Sequence, residues 1–397
     1  MACVYFDNNA TSPMLPEVLG ALEGALQGGM GNPSSIHQRG QAAKAALDEA
    51  RAQTAGLLNA EPDEIVFTSG GTESNNLAIR GVVEEWQQAR RASTPPHVIT
   101  TRIEHHAVLN VGEELEKEGI PVTYLPISAT GRLDPASVGV ELRPNTALIS
   151  VMMANNETGV LQPVEEVGAL ARAAGVRFHV DAVQALGKVP VDVTSIGCDL
   201  LSLSGHKLHA APGVGALFVR RGTRLHPQIL GGHQERDHRG GTENVPGIVS
   251  LGAACRLARA DTAGVVRLAR LRDRLEAGIL AAIPDCGVAG GDQPRVPNTT
   301  DMYFDGIEGE ALVIGLDLQG FCVSTGAACT SGSVEPSHVL LAMGYSRRRA
   351  RGCLRFSLGR QNTEAEVDSL LQILPQLVER QRRLMIRPAL PPLVQSA

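Results

Sequence analysis

Aromatic residues are scarce in this chain of 397 residues, with seven Phe, four Tyr and one Trp. Proteins that grip single-stranded nucleic acid stack bases on such rings, so the scarcity argues against that function. The formal net charge of −6 provides no general basic field for a phosphate backbone. A local run, Arg347, Arg348, Arg349 and Arg351, reads first as a solvated helix face and second as a surface for an acidic protein. The seven cysteines contain no CxxC pair and are odd in number, so neither a disulfide framework nor a zinc or other metal site is expected. Such cysteine usage fits a reducing compartment. No apolar run approaches roughly 18 residues, so no membrane span is expected. MACVYFDNNATSP lacks the basic-then-apolar start of a secretory signal. The expectation is a cytoplasmic protein with no direct nucleic-acid partner. No internal repeat is visible.

What the chain has is alternation. EIVFTS, HVITT, PVTYLPI, TALISVMM, RFHVDA, DLLSLS and GVGALFVR are strand-like. Between them TESNNLAIRGVVEEWQQARR, HHAVLNVGEELEKEG and PVEEVGALARAAG are helical, and an Ala-rich helix is expected over roughly 37–59. This order predicts an α/β fold, a doubly wound, mostly parallel sheet covered on both faces. Catalytic groups then collect beyond the carboxyl ends of the strands. From about 246 the pattern turns helical, and GVAGGDQPRVPNTT breaks the chain before the strand-like TDMYFDGI. A large domain over 16–257 and a smaller α+β domain over 258–397 are expected. The Pro-rich tail RPALPPLVQSA is expected to be loosely ordered.

Lys207 stands where the apolar run LLSLSG gives way to a polar turn. A lysine at the exit of a buried strand is poorly solvated, which favours the free amine, the nucleophile for a Schiff base. Asp181 ends the strand-like RFHVDA. A pyridoxal phosphate (PLP) enzyme needs a lysine for the aldehyde and an acid for the pyridinium nitrogen. Ser204 and His206 would then donate to the phosphate. Singly, Lys207 reads as a surface lysine and Asp181 as a helix cap; together, with the Ser-Gly-His turn, they point to the cofactor. Gly70-Gly71-Thr72-Glu73, between a strand and a helix, makes an anion site suited to that phosphate. His105 lies just beyond HVITT, where an imidazole would stack on the ring and move protons; alone, it reads as a capping residue. Asn156 and Gln184 could hydrogen-bond the ring's 3-oxygen or the substrate, and read equally well as ordinary turn and helix-surface residues. Cys329 sits in STGAACTSGS, a run of small residues that suggests a mobile loop and a reactive thiol rather than a packed one. Arg355, in LRFSLG, has the planar fork that suits a substrate carboxylate.

FHVDAVQALGKVPVDV, LSLSGHK, GVGALFVR, FTSGGTESNN, ANNETG, GTENV and CTSGSVEPSHVL together resemble the cysteine desulfurases of the nitrogen-fixation and iron–sulfur-cluster type, PLP enzymes related to the class V aminotransferases. The resemblance covers nearly the whole chain. It implies PLP fold type I, with residues 1–15 returning to the small domain. It implies PLP as a Schiff base on Lys207, with its phosphate on Gly71 and Thr72. It assigns the stacking role to His105 rather than His106, and gives Asn156 and Gln184 to cofactor and substrate. Thr242 would reach the phosphate in a neighbouring subunit, making a homodimer. Cys329 would take sulfur from L-cysteine as a persulfide, leaving L-alanine, for an iron–sulfur scaffold protein or another sulfur acceptor. A selenocysteine lyase or an aminotransferase of the same family is the nearest alternative, and a non-catalytic sulfur carrier a more distant one. Two stretches depart from the family pattern, His209-Ala210-Ala211-Pro212 after Lys207 and Asp237-His238-Arg239 before Thr242.

Overall fold

The computed structural model describes residues 3–29, 31–90, 94–326 and 335–386. It begins with the short strand β1 (Val4–Tyr5) and a polar stretch, then a helix at Pro16–Gln27 not anticipated from the sequence. Proline is tolerated at that helix start because the N–H it lacks would have no intrahelical acceptor. A second helix, Gln38–Leu58, matches the expected Ala-rich one and ends at Asn59 in the left-handed conformation.

Seven strands form the main sheet: β2 (Ile65–Thr68), β3 (His97–Thr101), β4 (Val122–Leu125), β5 (Thr146–Met152), β6 (Arg177–Asp181), β7 (Leu200–Ser204) and β8 (Gly215–Val219), in the order β2-β8-β7-β6-β5-β3-β4. β3 to β7 pair in parallel. β8 runs against both its neighbours. The connection 205–214 is shorter than the roughly dozen residues a parallel crossover takes, so the chain returns antiparallel. Every residue of β5 and of β7 is buried, as expected for strands covered on both faces. One face packs Phe67, Ile149, Phe178 and Phe218 into the largest core, and the other packs Val66, Leu148, Leu200 and Leu217 beneath the helix Gly71–Arg90.

The later chain adds β9 (Cys286–Val288), β10 (Thr299–Phe304), β11 (Phe321–Cys322) and β12 (Cys353–Ser357). β9, β10 and β12 make an antiparallel sheet in the order β12-β10-β9, and β11 pairs in parallel with β1. A separate core joins Phe6, Leu275, Met302, Phe304, Phe356 and Leu370. The helices Thr262–Ala282 and Glu364–Ile386 pack on it.

One expectation is corrected here. Cys3 and Cys322 form a disulfide across a sequence separation of 319. The parallel pairing of β1 with β11 sets the residue before one strand beside the last residue of the other, which spacing along the chain does not reveal. Cys198, Cys255, Cys286 and Cys353 are free. Among the described residues no helix is long and apolar enough to cross a membrane. The Pro-rich tail and Cys329 lie outside the described residues.

Candidate active site

The parallel strands of the main sheet end along one edge, and the chemistry predicted from sequence gathers there. β7 stops at Ser204, and one turn, Gly205–Lys207, follows. A Cβ at Gly205 would meet the Val214 carbonyl oxygen at 3.0 Å, so the turn needs glycine. Lys207 Nζ donates to the main-chain carbonyls of Asn9 and of Ala10, the latter at 2.6 Å. The amine is thus held by the polar stretch that follows β1.

Asp181 ends β6 with both carboxylate oxygens engaged: Oδ2 accepts from Asn75 Nδ2 at 2.7 Å and Oδ1 from the Val183 N–H at 3.0 Å. Facing it, the helix Gly71–Arg90 starts directly after Gly70. The first N–H groups of any helix lack intrahelical acceptors and attract anions. A Cβ at Gly71 would approach Val183 Cγ2 to 2.8 Å, so the helix start sits tight against the β6 exit. Glu73 accepts from the Ser69 N–H and from Arg239. Burial alone would raise its pKa, but the hydrogen bonds from Arg239 and Ser69 outweigh this and hold it below the usual carboxylate range.

His105 follows β3 and does two things at once. Its Nδ1 accepts from the Ala107 N–H at 3.0 Å, capping the helix His106–Lys117, and its ring lines the same cavity as Lys207. Accepting at Nδ1 places the proton of the neutral ring on Nε2. Burial, with Lys207, His106 and His338 nearby, holds the imidazole below its ordinary pKa against the pull of Asp181. His206 shares a proton with the Thr11 hydroxyl at 3.1 Å and is pushed down to about 4, by burial and then by Lys207.

Asn156 lies past β5, and its carbonyl accepts from Arg355 Nη1 at 3.1 Å and from Asn9 Nδ2 at 3.1 Å. Arg355, on β12, also donates from Nη2 to Asp7 Oδ1 at 2.6 Å. Its Nε is buried with no protein acceptor. Arg355 also lines the cavity, and its planar guanidinium suits a substrate carboxylate.

Ten of the predicted residues line one cavity: Gly71, Thr72, His105, Asn156, Asp181, Gln184, Ser204, His206, Lys207 and Arg355. Thr242 is exposed and does not line it. Cys329 lies outside the described residues. The donor set fits PLP: an acid for a ring nitrogen, an amine for an aldehyde, a helix start with glycines for a phosphate, and an imidazole beside them.

Sequence reasoning missed Asn9, which joins most of these groups. Its carbonyl accepts from Lys207 and from Gln184 Nε2; its Oδ1 accepts from Lys188 and Asn298; its Nδ2 donates to the Asn156 carbonyl and to Thr299 Oγ1. The available signal was the dense polar run DNNAT directly after a strand, more than a surface turn needs. Asn75 and Thr11, which orient Asp181 and His206, were also missed.

The aminotransferase class-V family matches residues 4–370. A cysteine desulfurase 2 from Trichormus variabilis is 50% identical over 382 residues, spanning 96% of this chain and 94% of that protein. A solved NifS-like protein superposes with a TM-score of 0.87 at 35% identity, covering 95% of this chain and all of that one. A structure described as SspA in complex with cysteine gives a TM-score of 0.79 at 36% identity over 91% of this chain and 100% of that chain.

Proposed function

This chain belongs to the class-V aminotransferases, and from that premise we propose that it is a PLP-dependent cysteine desulfurase. It converts L-cysteine to L-alanine and passes on the sulfur. The observation that carries the reading is the meeting of Lys207, Asp181 and Arg355 in one cavity.

Lys207 would hold the aldehyde carbon of PLP as a Schiff base, Asp181 its ring nitrogen, and Gly71, Thr72, Ser204 and His206 its phosphate. Bound there, PLP supplies an electron sink for negative charge developing on the substrate's α-carbon. The remaining work belongs to the chain. Arg355, at the cavity wall, would fix the substrate carboxylate through its guanidinium. Asp181 keeps a proton on the ring nitrogen, and its two hydrogen bonds hold it in place for this. Once the substrate's amine has taken its place, the freed Lys207 Nζ would take the α-proton of the substrate and return a proton to the product. Neutral His105 would stack on the ring, with its Nε2 proton available for relay. The thiolate of Cys329 attacks the substrate sulfur; the carbon–sulfur bond breaks, the β-carbon gains a proton as alanine forms, and the sulfur remains on Cys329 as a persulfide. The persulfide then goes to an iron–sulfur scaffold protein or another sulfur acceptor in the cytoplasm.

Two further parts of the reading concern organisation. The enzyme works as a homodimer in which Thr242 completes the partner's phosphate site; its exposure and its absence from the cavity wall support this. The large domain spans 16–257, and 1–15 with 258–397 form the small one. The pairing of β1 with β11 and the place of Phe6 in the second core support that division.

The deciding experiment supplies purified protein with L-cysteine, quantifies alanine and sulfide, and locates the persulfide by mass. Alanine appearing in step with a persulfide on Cys329 is expected. Keto-acid production without sulfide would favour an aminotransferase. Lys207→Ala should abolish both products and the visible absorption of the cofactor, and full activity in that variant would sink the proposal.

A further inference from the structure

Lys188 is a second lysine beside the site, and the mechanism above does not use it. It is 8% exposed. Its Nζ donates to Gln184 Oε1 at 2.6 Å and to Asn9 Oδ1 at 3.0 Å. Among the described residues these hydrogen-bond partners are amide oxygens, and no carboxylate pairs with it. Burying an ammonium without a counter-charge is expensive. Burial, then Lys207 and Arg355, accordingly holds Lys188 well below the usual lysine range. A neutral amine keeps two N–H groups, which match the two acceptors present.

The consequence falls on Gln184. Its Oε1 is occupied by Lys188, and its Nε2 gives one proton to the Asn9 carbonyl at 3.0 Å. The second Nε2 proton is left over, and Gln184 lines the cavity. A flipped amide would set its oxygen against the Asn9 carbonyl and leave one Lys188 N–H without its acceptor. Both contacts therefore disfavour the flip.

We propose that Lys188 is a positioning residue that locks the Gln184 amide so that Gln184 donates, rather than accepts, toward the 3-oxygen of the bound cofactor. This rests on the PLP reading of the preceding section. The chemical effect is specific. In the Schiff base the iminium proton is shared with the anionic 3-oxygen, so losing that proton leaves the oxygen's charge unshared. A donor on the oxygen stabilises that deprotonated form and lowers the pH at which the proton leaves. The other charged or titratable groups facing the Schiff base are Lys207 itself, Arg355, Asp181, His105 and His206, and none is altered in the variants below.

The test titrates the visible band of the holoenzyme, near ~420 nm for a protonated Schiff base, with pH. Lys188→Met should shift the band's midpoint upward by about one pH unit, the tenfold change expected for one lost hydrogen bond. Lys188→Gln keeps a donor and no amine, and should stay near the parent midpoint. In a Gln184→Met background, adding Lys188→Met should move the midpoint no further, because Lys188 acts through that amide. An unmoved midpoint in Lys188→Met overturns the proposal. So does a Lys188→Gln midpoint displaced as far as that of Lys188→Met, or a Lys188→Met shift that persists without Gln184. If Lys188→Met does not fold, the Lys188→Gln titration decides alone: a displaced midpoint overturns the proposal and a retained one supports it. Parent protein that takes up PLP without a visible band refutes the cofactor reading itself, an outcome distinct from a band that fails to move.

Discussion

Asp301 and Arg355 face each other in the register of β10 and β12, yet no hydrogen bond joins them, and both Asp301 oxygens are buried without a partner. Burial and the nearby Glu157 push the Asp301 carboxyl up to about 7, against the pull of Arg355. The unfolded carboxyl titrates near ~3.9. Because the folded pKa is the higher one, the native state binds the extra proton. Stability from this group is full below pH ~4, falls as pH rises from there to about 7, and stays low above. Asp301→Asn removes the fall. Melting at pH 5 and at pH 8 should therefore show the variant gaining on the parent at the higher pH, and an equal Tm difference at both would refute the assignment. The cysteines make a second prediction at this scale. Burial pushes Cys198 and Cys255 up to about 12 and Cys353 well above the thiol range. Alkylation follows thiolate character and exposure, so Cys329 should be labelled before these three. Cys329→Ala should keep the visible band of PLP and fail to release alanine. Alanine at the parent rate from that variant would remove the persulfide step.

At the scale of elements, the segment leading to Thr242 is held in an unfavourable backbone. Glu235, Arg236 and Asp237 take positive φ angles of 45°, 54° and 67° in succession. Left-handed conformations cost non-glycine residues roughly 1–2 kcal/mol each. The fixing contact is the buried pair Arg51–Glu235, in which Glu235 Oε1 accepts at 2.7 Å and Oε2 at 2.8 Å, the latter also accepting the Phe67 N–H of β2 at 2.9 Å. Removing one partner of a buried pair strands the other charge, so Glu235→Ala should lower stability by roughly 3–5 kcal/mol. Denaturant unfolding measures this, and a loss below ~1 kcal/mol would show that the pair is not the clasp. From the same segment Arg239 reaches Glu73 at the start of the helix Gly71–Arg90. These features also mark what sequence can reveal. β5 and β7 were legible because strands buried on both faces are continuous apolar runs. Asp181 and Lys207 were legible because two such strands end at them. Asn9 was not, since asparagine is ordinary in turns and its partners at 298, 299 and 357 are far along the chain. The helix Pro16–Gln27 has no side-chain cap to announce it. The direction of β8 and the Cys3–Cys322 bond depend on which strands become neighbours, and no local pattern carries that information.

For the whole molecule, the cavity is built from both cores. Lys207 and Asp181 extend from the main sheet, Arg355 from the antiparallel sheet, and the stretch around Asn9 lies between them. Among the described residues of the proposed mechanism, Thr242 is exposed and does not line it. Apolar side chains are also exposed on the segments 31–37 and 229–241, with Ile36 at 91% and Leu230 at 78%, the kind of surface a partner covers. A second copy of the chain would cover them and supply Thr242 from outside. One inactive and one impaired chain can test this. A heterodimer of one Thr242→Ala chain and one Lys207→Ala chain, isolated through two different tags, contains one site lacking both groups and one site with both intact. If Thr242 serves the partner's site, this heterodimer should release alanine faster, per site that keeps Lys207, than the Thr242→Ala homodimer. If Thr242 serves its own site, the Thr242→Ala chain keeps its defect in every pairing, and the heterodimer cannot exceed the Thr242→Ala homodimer. Activity at or below that level would therefore return Thr242 to its own subunit and end the shared-site reading.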